Sequence, residues 1–247
     1  RRVLFRSGSD GLFLKEILAD AGADVSCLRV MDTESGCAFI EVNSKGQNRI
    51  IVSAGTNRMY TEEYIKNVLE KAEAGDFVLL QNEINMVGEI IRLSHEKGCR
   101  VVFNASPIPG KPEELPLELV DIFMVNELEA AALAGTSTEG DFRDILKALQ
   151  KKYPKAAIVM TLGKEGVFYG YKEEFYSHPI FKVNAVDTTA AGDTFCGYFL
   201  AALCAEKSVE TALREASAAS AMAVSAKGAA PSIPVHSAVE EWLCGRS

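Results

Sequence analysis

At 247 residues the chain is longer than one average domain of about 150 residues and shorter than two, and it can bury a sizeable core. A hydrophobic content of 48% with 24% charged residues excludes a disordered chain. The net charge of −8 repels a phosphate backbone, which argues against general nucleic-acid binding.

The apolar stretches, such as the one within residues 195–205, are broken by glycine and fall short of the about 20 residues of a bilayer span, so no membrane association is expected. Six cysteines show no C-x-x-C pair and are read as having no histidine at zinc-ligand spacing. They read as small hydrophobes in a reducing compartment, the cytoplasm, with no disulfide and no structural metal.

Residues 1–7, RRVLFRS, fit no helix, strand or signal peptide. Back-translated, they resemble a common sequencing-adaptor end, so they are expected to be an artefact; a native basic arm is the alternative. From Gly11 to Ala21 the residues Leu12, Phe13, Ile17, Leu18 and Ala21 recur at helical spacing, with Gly22 at the C-cap. The runs CAFIEV and RIIV, separated by SKGQN, predict a hairpin within residues 35–54, the one candidate appendage.

Beyond Thr61, a plausible N-cap, helices alternate with the strands FVLLQ (77–81), RVVFN (100–104), IFMVN (122–126) and AAIVMT (156–161). Helices are expected to begin near Asn126 and Thr138. Residues 166–186 read as one or two antiparallel strands with Gly170 at a turn, and two Ala-rich helices fill 191–226. Apolar runs without alternation suit strands covered on both faces. The expected fold class is therefore α/β: a doubly wound, mostly parallel sheet flanked by helices, with a partial β lid, residues 8–247 forming one such domain.

The most informative segment, AVDTTAAGDTFCGYF (185–199), leads from a strand into a helix through small residues. Ala190, Ala191 and Gly192 leave main-chain N–H groups free to face an anion, and the helix dipole assists. Asp193 beside such a site fits a general base for an attacking hydroxyl; the alternative is a helix cap.

The motif DTTAAGD (187–193) is similar to the D-T-x-G-A-G-D signature of the ribokinase-like (PfkB) carbohydrate kinases, with Ala190 as a familiar variant. The resemblance extends over most of 8–243. It implies Asp193 as the base and the amides of Ala190, Ala191 and Gly192 as an anion hole. In NELEAAALAG (126–135) it implies that Asn126 and Glu129 organise Mg2+ and phosphates through water; a capping box is the competing reading.

By the same resemblance Thr161, Gly163 and Gly166 of TLGKEG face the nucleotide, with Gly192 and Ser217. Lys164 either meets a phosphate or is merely solvated. The loop AKGAAPSIP (226–234) would close the adenine pocket. Asp187, Thr189, Ala223, Ala226, Gly228 and Ser232 would hold a monovalent cation, K+. Glu83, Ala38 and Ile40 would contact the sugar, with Asn104 following the next strand. For Glu83 a solvated loop carboxylate is an equal reading. The segments Gly46-x-Asn48-x-Ile50 and Gly55-Thr56-Asn57 resemble lid elements of the family.

The implied reaction is ATP-dependent phosphorylation of a sugar primary hydroxyl, ribose to ribose 5-phosphate. Fructose, 2-keto-3-deoxygluconate or a nucleoside are alternative acceptors, and a non-catalytic sugar or nucleotide sensor is the alternative of another class. The partners are a small-molecule sugar and ATP, with a homodimer possible at full length. The family's N-terminal strand, its sugar-binding Asp and its first lid strands would precede Gly11, so the sequence reads as truncated and, as it stands, inactive and poorly soluble.

Overall fold

The computed structural model describes residues 6–8, 11–42 and 48–246, which fall into two compact units, 1–120 and 121–247. In the first unit β1 (Arg6–Gly8) pairs in parallel with β2 (Arg29–Met31), and α1 (Leu12–Asp20) lies between them in sequence. This corrects the expectation that residues 1–7 join no element. Three extended residues satisfy their main-chain groups on a neighbouring strand whatever their side chains, and Gly8 N–H donates to Ser35 Oγ at 2.9 Å. Gly22, in the left-handed region at φ 76°, follows the last residues of α1, and its N–H returns to Ala19 O.

The hairpin is β3 (Cys37–Val42) against β4 (Asn48–Ser53), with Ala38 opposite Val52 and Phe39 opposite Ile51. Gly46 lies outside the described residues. Thr61 caps α2 (Glu62–Leu69), its side chain accepting from Tyr64 N–H. Then β5 (Phe77–Gln81) and β6 (Arg100–Asn104) pair in parallel across α3 (Val87–Glu96).

The second unit opens with β7 (Ile122–Asn126), α4 (Glu127–Ala134), α5 (Phe142–Lys152) and β8 (Ala157–Thr161), with β7 and β8 parallel. It continues through β9 (Val167–Tyr171) and β10 (Glu174–His178), both antiparallel, then α6 (Ala191–Cys204), α7 (Val209–Val224) and α8 (His236–Cys244). Strands β5 and β6 are a parallel pair in the first unit, and β7 to β10 form a mixed sheet in the second, the α/β class expected. Ile122 to Val125 and Ala157 to Met160 are buried without alternation, as strands covered on both faces require. Each such Ile, Val, Met or Phe contributes about 1.5–3 kcal/mol through apolar burial.

Two boundaries differ from the sequence reading. The helix expected near Thr138 starts at Phe142 because Asp141 Oδ1 accepts Arg143 N–H, while Ser137 Oγ ties up Glu139 N–H in a local turn. Gly170 sits inside β9 opposite Phe175, and the turn is made by Lys172 at φ 53° and Glu173. A Cβ at 170 would lie 2.8 Å from Gln150 Nε2, so the Gln150 side chain fills the space that the glycine leaves. Helix α8 escaped the reading; its Val239 and Leu243 close on Ala218 and Ala219 of α7, with Trp242 packed alongside.

Candidate active site

The carboxyl ends of β7 and β8 place Asn126 and Thr161 side by side as register partners, at the edge where open α/β sheets bind ligands. Asn126 caps α4. Its Oδ1 accepts Glu129 N–H at 2.9 Å, and Glu129 Oε2 accepts Asn126 N–H at 2.9 Å. This capping box holds the Glu129 carboxylate in a buried position, 8% exposed, with one oxygen fixed.

Beyond Thr161 the chain makes a single 3-10 turn, Gly163–Glu165, closed by Leu162 N–H on Gly166 O. The two glycines of this turn have different reasons. A Cβ on Gly166, at φ 100°, would lie 2.2 Å from His178 O, so the fold itself demands glycine; Gly163 borders open space. Lys164 is exposed.

The start of α6 is the second cluster. Ala190, its N-cap, adopts a left-handed conformation at φ 59°, which is strained for a residue with a Cβ by about 1–2 kcal/mol. The surroundings hold it there. Asp187 Oδ1 accepts Thr189 N–H at 2.9 Å and Oδ2 accepts Gly228 N–H at 3.0 Å. Val186 and Asp187 N–H both donate to Val224 O, and Ser220 Oγ donates to Ala191 O at 3.0 Å. Hydrogen bonds from the Thr189 hydroxyl and amide, then from the Gly228 amide, pull the Asp187 carboxyl down to about 2.

Asp193 occupies the first turn with its side chain exposed, three residues beyond the N-cap position, which Ala190 fills. A Cβ on Gly192 would meet nothing within 4 Å. The space beside Gly192 is open. Ala191 N–H is already engaged with Thr188 O at 3.3 Å, so the opening faces Gly192. The helix start thus offers partial positive charge with a carboxylate beside it.

The cation residues are brought together only in part. Asp187 joins Thr189 to Gly228, but both its oxygens already accept main-chain N–H groups. Ala223 O accepts Ala226 N–H, and Ser232 Oγ donates to Ala229 O. All the donors are oxygen, the chemistry of a hard cation. Among the described residues no three His, Cys, Asp or Glu side chains gather as a metal site. Ser217 is half-buried on α7, and Ala216, Ala218, Ala219, Ala221 and Ala223 are buried, which is the close packing that an Ala-rich helix allows.

In the first unit Glu83 is exposed just past β5, and Asn104 ends β6 as the partner of Gln81. Ala38 is exposed on β3; Ile40 pairs with Ile50 there, and its side chain lies outside the described part.

Against known proteins, residues 6–236 match the pfkB family carbohydrate kinase model. The chain belongs to the pfkB family of carbohydrate kinases. It is 35% identical to the ribokinase of Haemophilus influenzae over 242 residues, 96% of this chain and 78% of that protein. The ribokinase of Thermotoga maritima superposes with a TM-score of 0.85 at 33% identity, covering 98% of this chain and 81% of that one. The Arabidopsis thaliana ribokinase solved with ribose and ATP gives 0.83 at 31%, with coverages of 98% and 81%.

Asn85 is a structural tie that the sequence does not announce. Its Oδ1 accepts Tyr60 N–H and its Nδ2 donates to Tyr60 O, so one amide acts as a strand partner and fixes the segment that follows Gly55-Thr56-Asn57. Asn85 N–H donates to Asn57 O. Nothing in sequence spacing links residues 25 apart in this way. Gly55 precedes that segment at φ 46°, where a Cβ would strike Ser35 O at 2.5 Å.

Proposed function

We propose that this pfkB kinase transfers the γ-phosphoryl group of ATP to the primary hydroxyl of ribose, giving ribose 5-phosphate. The observation that carries the reading is the start of α6. Asp193 stands exposed beside the open face of Gly192, on a turn braced by Asp187. The ribokinase relatives, and the ribose and ATP held by the Arabidopsis enzyme, supply the acceptor and donor.

In this reading Asp193 accepts the proton of the attacking hydroxyl, and the first-turn amides around Gly192 receive the negative oxygens of the transferring group. Asn126, Thr161, Gly163, Gly166 and Ser217 line the nucleotide. Glu129, with its buried carboxylate, would hold Mg2+ through water; Mg2+ neutralises phosphate charge when bound. The carbonyls of Thr189, Ala223, Ala226, Gly228 and Ser232, with Asp187, would hold K+, which adds positive charge near the helix start. Glu83, Ala38 and Ile40 contact the sugar, and the β3–β4 hairpin serves as a lid that excludes water. The cysteines are all free thiols, which fits a reducing cytoplasm.

Acceptor-dependent ADP release by the protein expressed from its gene tests the proposal. Ribose should give the highest kcat/KM in a panel with fructose, 2-keto-3-deoxygluconate and a nucleoside. Preference for another acceptor would replace ribose, and binding without ADP release would leave a sensor.

A further inference from the structure

The loop 226–234 is pinned at both ends, and both pins come from the segment that carries Asp193. At its head Gly228 N–H donates to Asp187 Oδ2 at 3.0 Å. At its tail the Tyr198 hydroxyl, on α6, donates to Pro234 O at 2.7 Å. Between them the loop folds on itself, with Ser232 N–H and Oγ both donating to Ala229 O.

The Tyr198 ring does a separate job. It packs against the cluster of Ala218, Ala219, Val239 and Leu243 and meets His236 edge-on at 6.3 Å. Phenylalanine would fill that place equally well, so packing alone does not account for the hydroxyl. A half-buried tyrosine hydroxyl that finds a main-chain carbonyl 36 residues away ties two segments to one position.

We infer that Tyr198 is a positioning residue: through its hydroxyl it latches the tail of the 226–234 loop to α6, so that the nucleotide loop keeps a fixed position relative to the Asp193 helix start. The inference rests on the reading of 226–234 as the nucleotide loop. In this role Tyr198 acts through the loop that it holds. Losing the latch loosens the loop tail between Asp187 at its head and α8 just beyond it, and the bound nucleotide must then order that stretch itself.

The test is Tyr198→Phe, which keeps the ring and removes one hydroxyl. Its affinity for ATP should fall about threefold to tenfold, the usual range for one net hydrogen bond. Ribose affinity and kcat should stay within about twofold, and the amides of Ser232, Ile233 and Val235 should exchange hydrogen faster without ligand. Equal ATP affinity in the two proteins overturns the inference, as does a parallel loss of ribose and ATP affinity with a lowered Tm, which would mark a merely structural role. Hydrogen exchange of the unmutated protein with and without ATP separates the two layers. Protection of 226–234 by ATP upholds the nucleotide loop whatever Tyr198→Phe does; its absence removes that reading and the latch with it.

Discussion

The start of α6 and the β3–β4 hairpin solve opposite problems. At the helix start the main chain is fixed by Asp187, Ser220 and Val224, so a strained left-handed Ala190 persists and Gly192 stays open. In the hairpin two strands carry apolar side chains outward, Phe39 at 63% and Val52 at 68% exposure. Phosphoryl transfer needs donors at fixed positions, whereas a surface meant to meet a sugar needs side chains that are still uncovered. The first kind of region breaks when one atom moves; the second tolerates change until its ligand is present.

The largest effect should therefore come from Asp193→Asn. In the proposed reading it removes the proton acceptor, so turnover should fall about 10²- to 10⁴-fold, with ATP affinity within about twofold. Near-normal turnover would remove Asp193 as the base.

Two glycines sharpen the contrast between fold and ligand. Gly166→Ala pushes a Cβ to 2.2 Å from His178 O at a positive φ and should destabilise the protein by about 3 kcal/mol in denaturant melts. Gly192→Ala meets nothing and should leave stability equal or raised by about 0.5–1 kcal/mol, as for Gly to Ala in a helix. Its turnover should nevertheless fall, because the new methyl stands where phosphate oxygens would approach.

Glu129→Gln divides capping from metal binding. Gln can still accept Asn126 N–H through Oε1, so Tm should hold, while loss of the charge should raise the Mg2+ needed for half-maximal activity about tenfold. Unchanged Mg2+ dependence would leave Glu129 as a cap alone.

Much of this was legible beforehand because it depends on local chemistry. The apolar runs without alternation gave β7 and β8, and Asn126 with Glu129 spells its capping box in four residues. The helix boundary at Asp141 was misplaced because Ser, Thr and Gly between 136 and 140 offered several starts, and only the competing Ser137 turn decides among them. Gly170 read as a turn residue because the Gln150 side chain that crowds it comes from α5, far along the chain. The Asp187–Gly228 and Tyr198–Pro234 bonds span 41 and 36 residues and leave no periodic signature.

The brace at the helix start also sets a pH signature. The Asp187 carboxyl is held at about 2 in the folded protein, against an ordinary value of 3.8. A group depressed on folding stabilises the native state above its unfolded value, and that stabilisation is lost as pH falls toward the folded value. The gap in Tm between the unmutated protein and Asp187→Ala should be full at pH 5, shrink below pH 4 and close near pH 2. A gap that does not change with pH would mean the carboxylate contributes by shape alone.

The smallest stability effects should come from the hairpin, where the two faces can be told apart. Strand alternation puts Ala38 and Val52 on one face and Phe39 and Ile51 on the other. Because Phe39 and Val52 are both exposed, replacing either with serine should change stability by no more than about 0.5 kcal/mol. If the Ala38 face meets the sugar, Val52→Ser should raise the KM for ribose while Phe39→Ser leaves it unchanged and only reduces aggregation. The reverse pattern would turn the hairpin over and assign the acceptor to the Phe39 face, with Ala38 pointing away from it.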